Sequence, residues 1–268
     1  MNTLRIIPAS AVVLFVLAAS IASAAPQISL TDQEAEWIGD KIFQNECGGK
    51  DGYLVAWNKG EDFMSLGIGH FIWYPADKPG PFDESFPGLL KFIGQKGGDI
   101  PAWLREQEDP HCPWGSREEF LKDPEDPKIR DLRKFLAETK DLQLLFIVNR
   151  LKNALPKMLD SVPKELRLHI EQQFYRMAAA PSGMYALVDY VNFKGEGTLA
   201  TERYKGQGWG LVQVLGRMDG SAKGPQAVRE FVQEAGGLLT DRVDNAPPGR
   251  DERRWLPGWK NRLNTYVQ

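Results

Sequence analysis

The chain is poor in the residues that bind metals and build disulfide frameworks. Its 268 residues include two cysteines, Cys47 and Cys112, and three histidines. No Cys-x-x-Cys pair and no Cys/His cluster occurs, so the sequence predicts neither a structural zinc site nor a disulfide-dense scaffold. The two cysteines leave two alternatives open, which are one disulfide between them or two free thiols, one of them buried.

Several signatures of catalysis and cofactor binding are also missing. The sequence has no Gly-x-Ser-x-Gly elbow, no His-Glu-x-x-His helix, no Walker loop and no Gly-x-Gly-x-x-Gly after a strand. Cys47 follows the end of a helical pattern, whereas a reactive thiolate is stabilised at a helix N-terminus. We therefore expect no metal and no organic cofactor, and we do not expect a cysteine hydrolase.

Neither sign of charge dominates the chain. Lysine and arginine number 33, aspartate and glutamate number 36, and the formal net charge is −3. Without a polybasic surface, nucleic acid and anionic lipid are not predicted partners. Because 42% of the residues are apolar and no repeat or low-complexity tract divides the chain, we predict a single domain at residues 25–268.

The N-terminal segment is typical of a secretory signal. Arg5 precedes a short apolar run that ends in Ala22-Ser23-Ala24, a pattern that precedes signal cleavage. The run is short for a membrane-spanning helix, which needs about 20 apolar residues, and an uncleaved membrane anchor is the alternative to a cleaved signal. We expect residues 1–24 to be removed, no stable membrane span to remain, and the protein to be periplasmic or secreted.

Hydrophobic spacing predicts an α+β fold that is predominantly α. Thr31 and Glu34 form a capping box before the first helix, and helical spacing of apolar residues dominates from about residue 130. The runs YLVAW and FMSLGIGHFIW, separated by NKGED, predict a hairpin or small sheet between residues 51 and 74. Residues 76–128, rich in proline, glycine and acidic groups, predict a loop-rich insertion.

One combination of residues points to a family. Glu46 ends the first predicted helix, and Ser65-Leu66-Gly67-Ile68-Gly69-His70 follows on a predicted strand. This combination resembles the active-site lobe of phage-type lysozymes and related muramidases, where a glutamate, often an aspartate, and Thr-x-Gly-x-Gly-His occur in this order. The segments ALVDYVNFKGEGT (186–198) and RRWLPGWKNRL (253–263) are similar in type to later helices of that family.

The resemblance implies a lysozyme-like fold, with a small sheet lobe that faces a helical lobe across a sugar-binding cleft. It implies that Glu46 is the catalytic acid, that Ser65 helps to position water, and that His70 is the motif histidine. His70, Trp73 and Asn192 are the candidate substrate-binding residues. For Trp73 a core position stays open, and for Asn192 a local structural role stays open, because strand aromatics and single amides serve both purposes.

The second carboxylate is not determined by the pattern. Near the place where the family has its aspartate, this chain has Asn58 and Lys59, which are not carboxylates. Glu61 and Asp62 lie closer to the strand, and of these two we prefer Asp62, with Glu61 as the alternative. Hydrolysis with inversion needs two carboxyl groups about 6.5–9.5 Å apart, and hydrolysis with retention needs about 5–5.5 Å.

A weaker resemblance is to lytic transglycosylases and goose-type lysozymes. In those families a serine follows the catalytic glutamate and a GLMQ segment lies downstream; here Cys47 follows Glu46, and WGLVQVL occupies 209–215. A transglycosylase uses one glutamate and forms an anhydro sugar.

We predict an exported glycosidase that cleaves β-1,4 bonds of peptidoglycan as a hydrolase or a transglycosylase. The alternative is a non-catalytic lysozyme-like module that binds glycan or a cell-wall partner.

Overall fold

The protein is mostly helical, with a small antiparallel sheet, and this confirms the predicted predominantly α, α+β class. The computed structural model describes residues 28, 30–80, 82–108, 110–200 and 202–268, without the side chain of Cys47. The predicted signal segment lies outside these residues. None of the described helices has the length and apolar character needed to cross a membrane.

The helices begin and end largely where local signals predict. In α1, the side chain of Thr31 accepts from the Glu34 amide and the Glu34 carboxylate accepts from the Thr31 amide, so the predicted capping box is confirmed. Gly48, in the left-handed conformation, ends this helix. The α-helices of the described residues are α1 (Asp32–Cys47), α2 (Phe86–Gln95), α3 (Ala102–Arg105), α4 (Arg117–Lys122), α5 (Pro127–Glu138), α6 (Lys140–Asp160), α7 (Lys164–Ala178), α8 (Pro181–Lys194), α9 (Leu211–Arg217), α10 (Pro225–Asn245) and α11 (Leu256–Asn264).

The strands form two small sheets. The first has the order β1-β2-β3, all antiparallel, and the second pairs β4 with β5. Short 3₁₀ turns at Asp51–Leu54, Glu252–Trp255 and Thr265–Val267 complete the regular structure of the described chain. The strands are β1 (Val55–Ala56), β2 (Met64–Leu66), β3 (Phe71–Trp73), β4 (Arg203–Tyr204) and β5 (Gln207–Gly208).

The Gly-Ile-Gly-His string forms a turn, and the prediction that it lies on a strand was wrong. Leu66 pairs with Phe71, so the four residues between them reverse the chain. Gly67 has φ 67° and His70 has φ 47°. Glycine adopts this left-handed region without steric cost, which explains a glycine at the first turn position. The turn presents the His70 side chain at the surface of the sheet.

A buried glutamine fixes this turn to the helical body. Gln143 of α6 is fully buried; its Oε1 accepts from the Ile68 amide at 3.0 Å, and its Nε2 donates to Leu136 O at 2.7 Å. A Cβ atom on Gly67 would overlap the Gln143 amide oxygen. Gly67 is therefore required both for its backbone conformation and for the close approach of Gln143.

The segment 76–128 contains α2, α3 and α4, so the prediction of a loop-rich insertion was incomplete. Helix α2 packs against β3 and α6. Its buried residues follow helical spacing, which was the available signal in the sequence. They are Phe86, Leu89, Leu90 and Ile93.

Two helices organise the body around the site. Helix α6 packs against α1, α2 and α7, while α8 packs against α1, α7 and α10. All residues of α8 from Gly183 to Tyr190 are buried. Among them is one acid, Asp189, with 0% exposure. Burying a carboxylate costs free energy unless the carboxylate is paired, so Asp189 needs charged or hydrogen-bonding partners inside the fold.

Candidate functional site

A cleft lies between the first sheet and the helical body. Its volume is about 560 Å³, and three walls enclose it. The first wall is Gly69 to Ile72 of the turn and β3, the second is one face of α6, and the third is the end of α8 with Glu196. The small sheet and the helices therefore face each other across an open cavity.

Glu46 lies beside this cleft, in the last turn of α1. Its side chain is 14% exposed, and its Oε2 is 3.7 Å from Nδ1 of His70, a cleft residue. Its other oxygen, Oε1, accepts a hydrogen bond from Nη2 of Arg262 in α11. The structure thus brings together Glu46 and His70, two of the residues selected from the sequence, and adds an arginine.

Arg262 is held in place by the buried acid of α8. Its Nε and Nη2 donate to the two oxygens of Asp189 at 2.8 and 2.9 Å. Asp189 also accepts from the Tyr266 hydroxyl at 2.6 Å and from the Asn45 amide at 3.0 Å. Burial alone would lower the pKa of Arg262, but the hydrogen bonds and charges of Asp189 and Glu46 raise it, so the guanidinium stays charged.

Tyr266 remains a hydrogen-bond donor in this cluster. It is 1% exposed. Burial, followed by the negative charge of Asp189, raises the pKa of its hydroxyl well above the ordinary value. Asp189 consequently has four hydrogen bonds from donors that keep their protons, and these satisfy a carboxylate with no contact to water.

Of the two candidates for the second carboxylate, Glu61 is the one connected to Ser65. Ser65 lies directly opposite Ile72 in the sheet, so their side chains share a face, and Ile72 lines the cleft. The Ser65 hydroxyl donates to Glu61 Oε2 at 3.4 Å, and the Asn58 amide donates to the same oxygen at 3.0 Å. Asp62, which we preferred from the sequence, is exposed.

The two other predicted binding residues have different environments. Asn192 is exposed and lines the cleft at the end of α8. Trp73 has 0% exposure; its ring packs 4.9 Å from Phe86 and 6.4 Å from Trp103, between ring centroids. The prediction that Trp73 binds substrate was wrong, because its side chain belongs to the core on the opposite face of β3 from Ile72.

The described cysteine is a free thiol. Cys112 is 6% exposed and its Sγ donates to Trp114 O at 3.4 Å. Burial raises the pKa of this thiol to about 12. Of the two alternatives, one disulfide or two free thiols, the structure therefore does not contain the disulfide. The side chain of Cys47 is not among those that the structure describes.

The glutamine of the Gly-Leu-Val-Gln string has a local role. Gln213 accepts from the Gly210 amide at 2.9 Å and donates to Gly197 O at 2.9 Å. Both of its amide ends are used to close the loop before α9. The structure therefore gives no support to a role for this segment like that of GLMQ in transglycosylases.

The residues that sequence reasoning missed are the charged partners of the site. Asp189 interrupts an apolar run in α8, and a lone acid in such a run signals a buried charge that needs a partner. Arg262 lies in the C-terminal segment, 73 residues further along the chain. No spacing rule connects two residues so far apart.

Comparison with protein-family models, with curated proteins and with solved structures finds no match for this chain. In the described part of the chain, no three His, Cys, Asp or Glu residues are grouped to hold a metal ion.

Proposed function

We propose that this protein is an exported glycosidase, resembling the phage-type lysozymes, that cleaves β-1,4 glycosidic bonds of peptidoglycan. The observation that carries the proposal is the position of Glu46. A carboxyl group anchored through Arg262 lies beside His70, at the edge of a cleft between a sheet and a helical body. Such an open cleft accommodates an extended polysaccharide, and general acid catalysis requires a carboxyl group held at such a cleft, within hydrogen-bond reach of the leaving oxygen.

In the proposed reaction Glu46 protonates the leaving glycosidic oxygen. Glu61 is the second carboxylate and either stabilises the oxocarbenium-like transition state or activates water. Its hydrogen bonds from Ser65 and Asn58 support this choice over Asp62, because they tie its carboxylate to Ser65, which is paired in the sheet with the cleft residue Ile72.

The test is the release of muropeptides from purified peptidoglycan by the mature chain and by Glu46→Gln. We expect the variant to lose about 10²–10⁴-fold in rate, the usual contribution of a positioned general acid. Glu36→Gln is the matched control, because Glu36 is exposed on the same helix. Products with reducing ends would identify a hydrolase and anhydro products a lytic transglycosylase. Undiminished release by Glu46→Gln would contradict the proposal.

One observation favours the alternative of a non-catalytic glycan-binding module. Arg262 occupies one oxygen of Glu46, as in an ion pair that serves structure. If neither the mature chain nor any variant releases products while all retain binding to glycan, the module replaces the enzyme. Glu61→Gln in the same assay tests the second carboxylate, since a hydrolase loses rate when that carboxylate is removed, whereas a transglycosylase, which uses one glutamate, does not.

A further inference from the structure

The α6 wall of the cleft carries two cations that the proposed reaction does not use. Arg150 and Lys157 both line the cavity, with Asn153 and Ala154 between them on the same face of the helix. Residues three, four and seven apart lie on one side of an α-helix, and seven residues span about 10 Å. The two charges are thus presented in line along the cleft.

Neither cation is neutralised by the described part of the protein. Both side chains are exposed, and neither forms a hydrogen bond or an ion pair with a described residue. The Arg150 guanidinium lies over the ring of Phe146, with its carbon 5.9 Å from the ring centroid. Two carboxylates, Asp83 and Glu196, also line the cavity, but neither lies on α6, since Asp83 precedes α2 and Glu196 follows α8.

The cavity lining carries two cations and two carboxylates, so its positive charge is confined to the α6 wall. The chain carries a formal net charge of −3, which opposes the approach of an acidic polymer. Unpaired cations on a wall of a cleft attract carboxylates locally, and the planar guanidinium of arginine matches a carboxylate with two parallel hydrogen bonds. The α6 wall therefore fits an anionic substituent of the polymer better than a neutral sugar ring.

We propose that Arg150 and Lys157 form a subsite for carboxylates carried by the glycan strand, so that the cleft prefers acidic peptidoglycan strands to neutral glycan. This inference rests on the proposed function. Two groups of the strand can supply the carboxylate. One is the lactyl arm of the sugar when no peptide is attached to it, and the other is the peptide attached to that arm. The subsite binds and selects; it takes no part in the transfer of the proton from Glu46.

The test measures dissociation constants for three glycans with the mature chain carrying Glu46→Gln, which prevents turnover. The probes are neutral chitohexaose, strands whose peptides were removed by an amidase to expose lactyl carboxylates, and strands that retain their peptides. On this background, Arg150→Gln/Lys157→Gln is compared with Arg130→Gln/Lys152→Gln. The control pair removes the same charge from α5 and from α6, at residues that do not line the cleft.

We expect the parent to bind at least one carboxylate-bearing strand about tenfold or more tightly than chitohexaose. Arg150→Gln/Lys157→Gln should lose this preference and its dependence on salt, since fewer ion contacts remain to be screened. The control pair should keep both. Tight binding of amidase-treated strands assigns the subsite to the lactyl carboxylate, and tight binding of peptide-bearing strands alone assigns it to the peptide.

Equal affinity of the parent for neutral and acidic strands would overturn the subsite and leave the glycosidase proposal intact. An equal loss in the control pair would also overturn it, because the effect would then follow net charge and not the α6 wall. Absence of binding to all three probes would overturn the proposed function together with the subsite. Arg150→Glu/Lys157→Glu adds a check, since reversed charge should weaken binding of acidic strands further while leaving chitohexaose unaffected.

Discussion

Two arginine clusters in this protein have almost the same composition. Arg262 donates with two nitrogens to Asp189, and Arg242 of α10 donates with two nitrogens to Glu252, at 2.8 and 2.9 Å in both cases. Each carboxylate is buried and accepts a further hydrogen bond from a tyrosine hydroxyl, from Tyr266 in one cluster and Tyr204 in the other. The hydrogen bond from Tyr266 to Asp189 measures 2.6 Å, and the one from Tyr204 to Glu252 measures 2.9 Å.

The difference lies in what surrounds each guanidinium. Arg242 is covered by aromatic rings, with its guanidinium carbon 4.0 Å from the Trp209 centroid and 5.1 Å from that of Trp259. Arg262 also contacts a ring, that of Phe193 at 4.7 Å from its centroid, but it has in addition a second carboxylate partner, Glu46, at the edge of the cleft. A buried ion pair is therefore not by itself a functional signal. The additional contact of Arg262 with Glu46, a group beside the cavity, is what distinguishes the candidate site.

The largest expected effect comes from removing the buried carboxylates. Asp189→Ala leaves Arg262 and its other donors without their acceptor and should lower the free energy of unfolding by about 3–5 kcal/mol. Glu252→Ala should cost about 1 kcal/mol less, since Glu252 accepts three hydrogen bonds and Asp189 accepts four. Urea denaturation of both variants measures the difference. A larger loss for Glu252→Ala would reverse this ranking.

Replacing each arginine by lysine separates function from stability. A lysine ammonium lacks the fork of a guanidinium, so Arg262→Lys cannot hold Asp189 and Glu46 in the same geometry. We expect kcat of the proposed glycan cleavage to fall about 10–100-fold, the order expected when a catalytic group is displaced. Arg242→Lys should lower stability and leave kcat unchanged, when both are assayed well below their unfolding midpoints. Equal losses of kcat would show that the two clusters do not differ in function.

Lys194 interacts with residues of both clusters, and its protonation makes the free energy of unfolding depend on pH. Its Nζ is 3.5 Å from the Trp259 centroid and 4.0 Å from that of Phe193. Burial, followed by the charge of Arg242, lowers its pKa from 10.5 to about 7; Glu252 opposes this change and Arg262 adds to it. A lysine whose folded pKa is lowered costs stability wherever the unfolded chain still binds the proton.

Between pH 7 and 10.5 the unfolded chain holds a proton on Lys194 that the folded chain lacks. The free energy of unfolding should therefore rise with pH in this window, by at most about 1.4 kcal/mol per unit, and be flat below it for this group. Lys194→Met should remove that rise, while Lys260→Met, at an exposed residue of α11, should keep it. Urea denaturation at several pH values gives the slopes, and equal slopes for the native chain and Lys194→Met would contradict the assignment.

The smallest expected effects come from the tyrosine hydroxyls. Tyr266→Phe should lower the free energy of unfolding by about 1–2 kcal/mol, because its hydroxyl is fully buried against Asp189, and Tyr204→Phe by about 1 kcal/mol. Phenylalanine keeps the ring packing in both cases, so the loss reports the hydrogen bond. Thermal unfolding of the two variants checks the order. A greater loss for Tyr204→Phe would mean that the Arg242 cluster depends more on its tyrosine.

Local patterns predicted a good part of the fold. The capping box of Thr31 and Glu34 and the spacing in the later helices were sufficient because helix formation depends on neighbours within one or two turns. Residues 67–70 were misassigned to a strand because β-prone residues flank so short a turn that the alternation is not visibly interrupted. Trp73 was misassigned because the sequence does not show which side of a strand faces the core.

Local sequence patterns account for the α+β class and for the end of α1 at Gly48, which places Glu46 in its last turn. Each depends on backbone conformation or on contacts within a few residues. The packing of the folded chain brings Arg262 to Glu46, 216 residues away, and places Arg150 and Lys157 on the same cleft as His70. Such contacts arise from the packing of α1, α6, α8 and α11 around a shared core, and packing between distant helices leaves no local pattern in the chain.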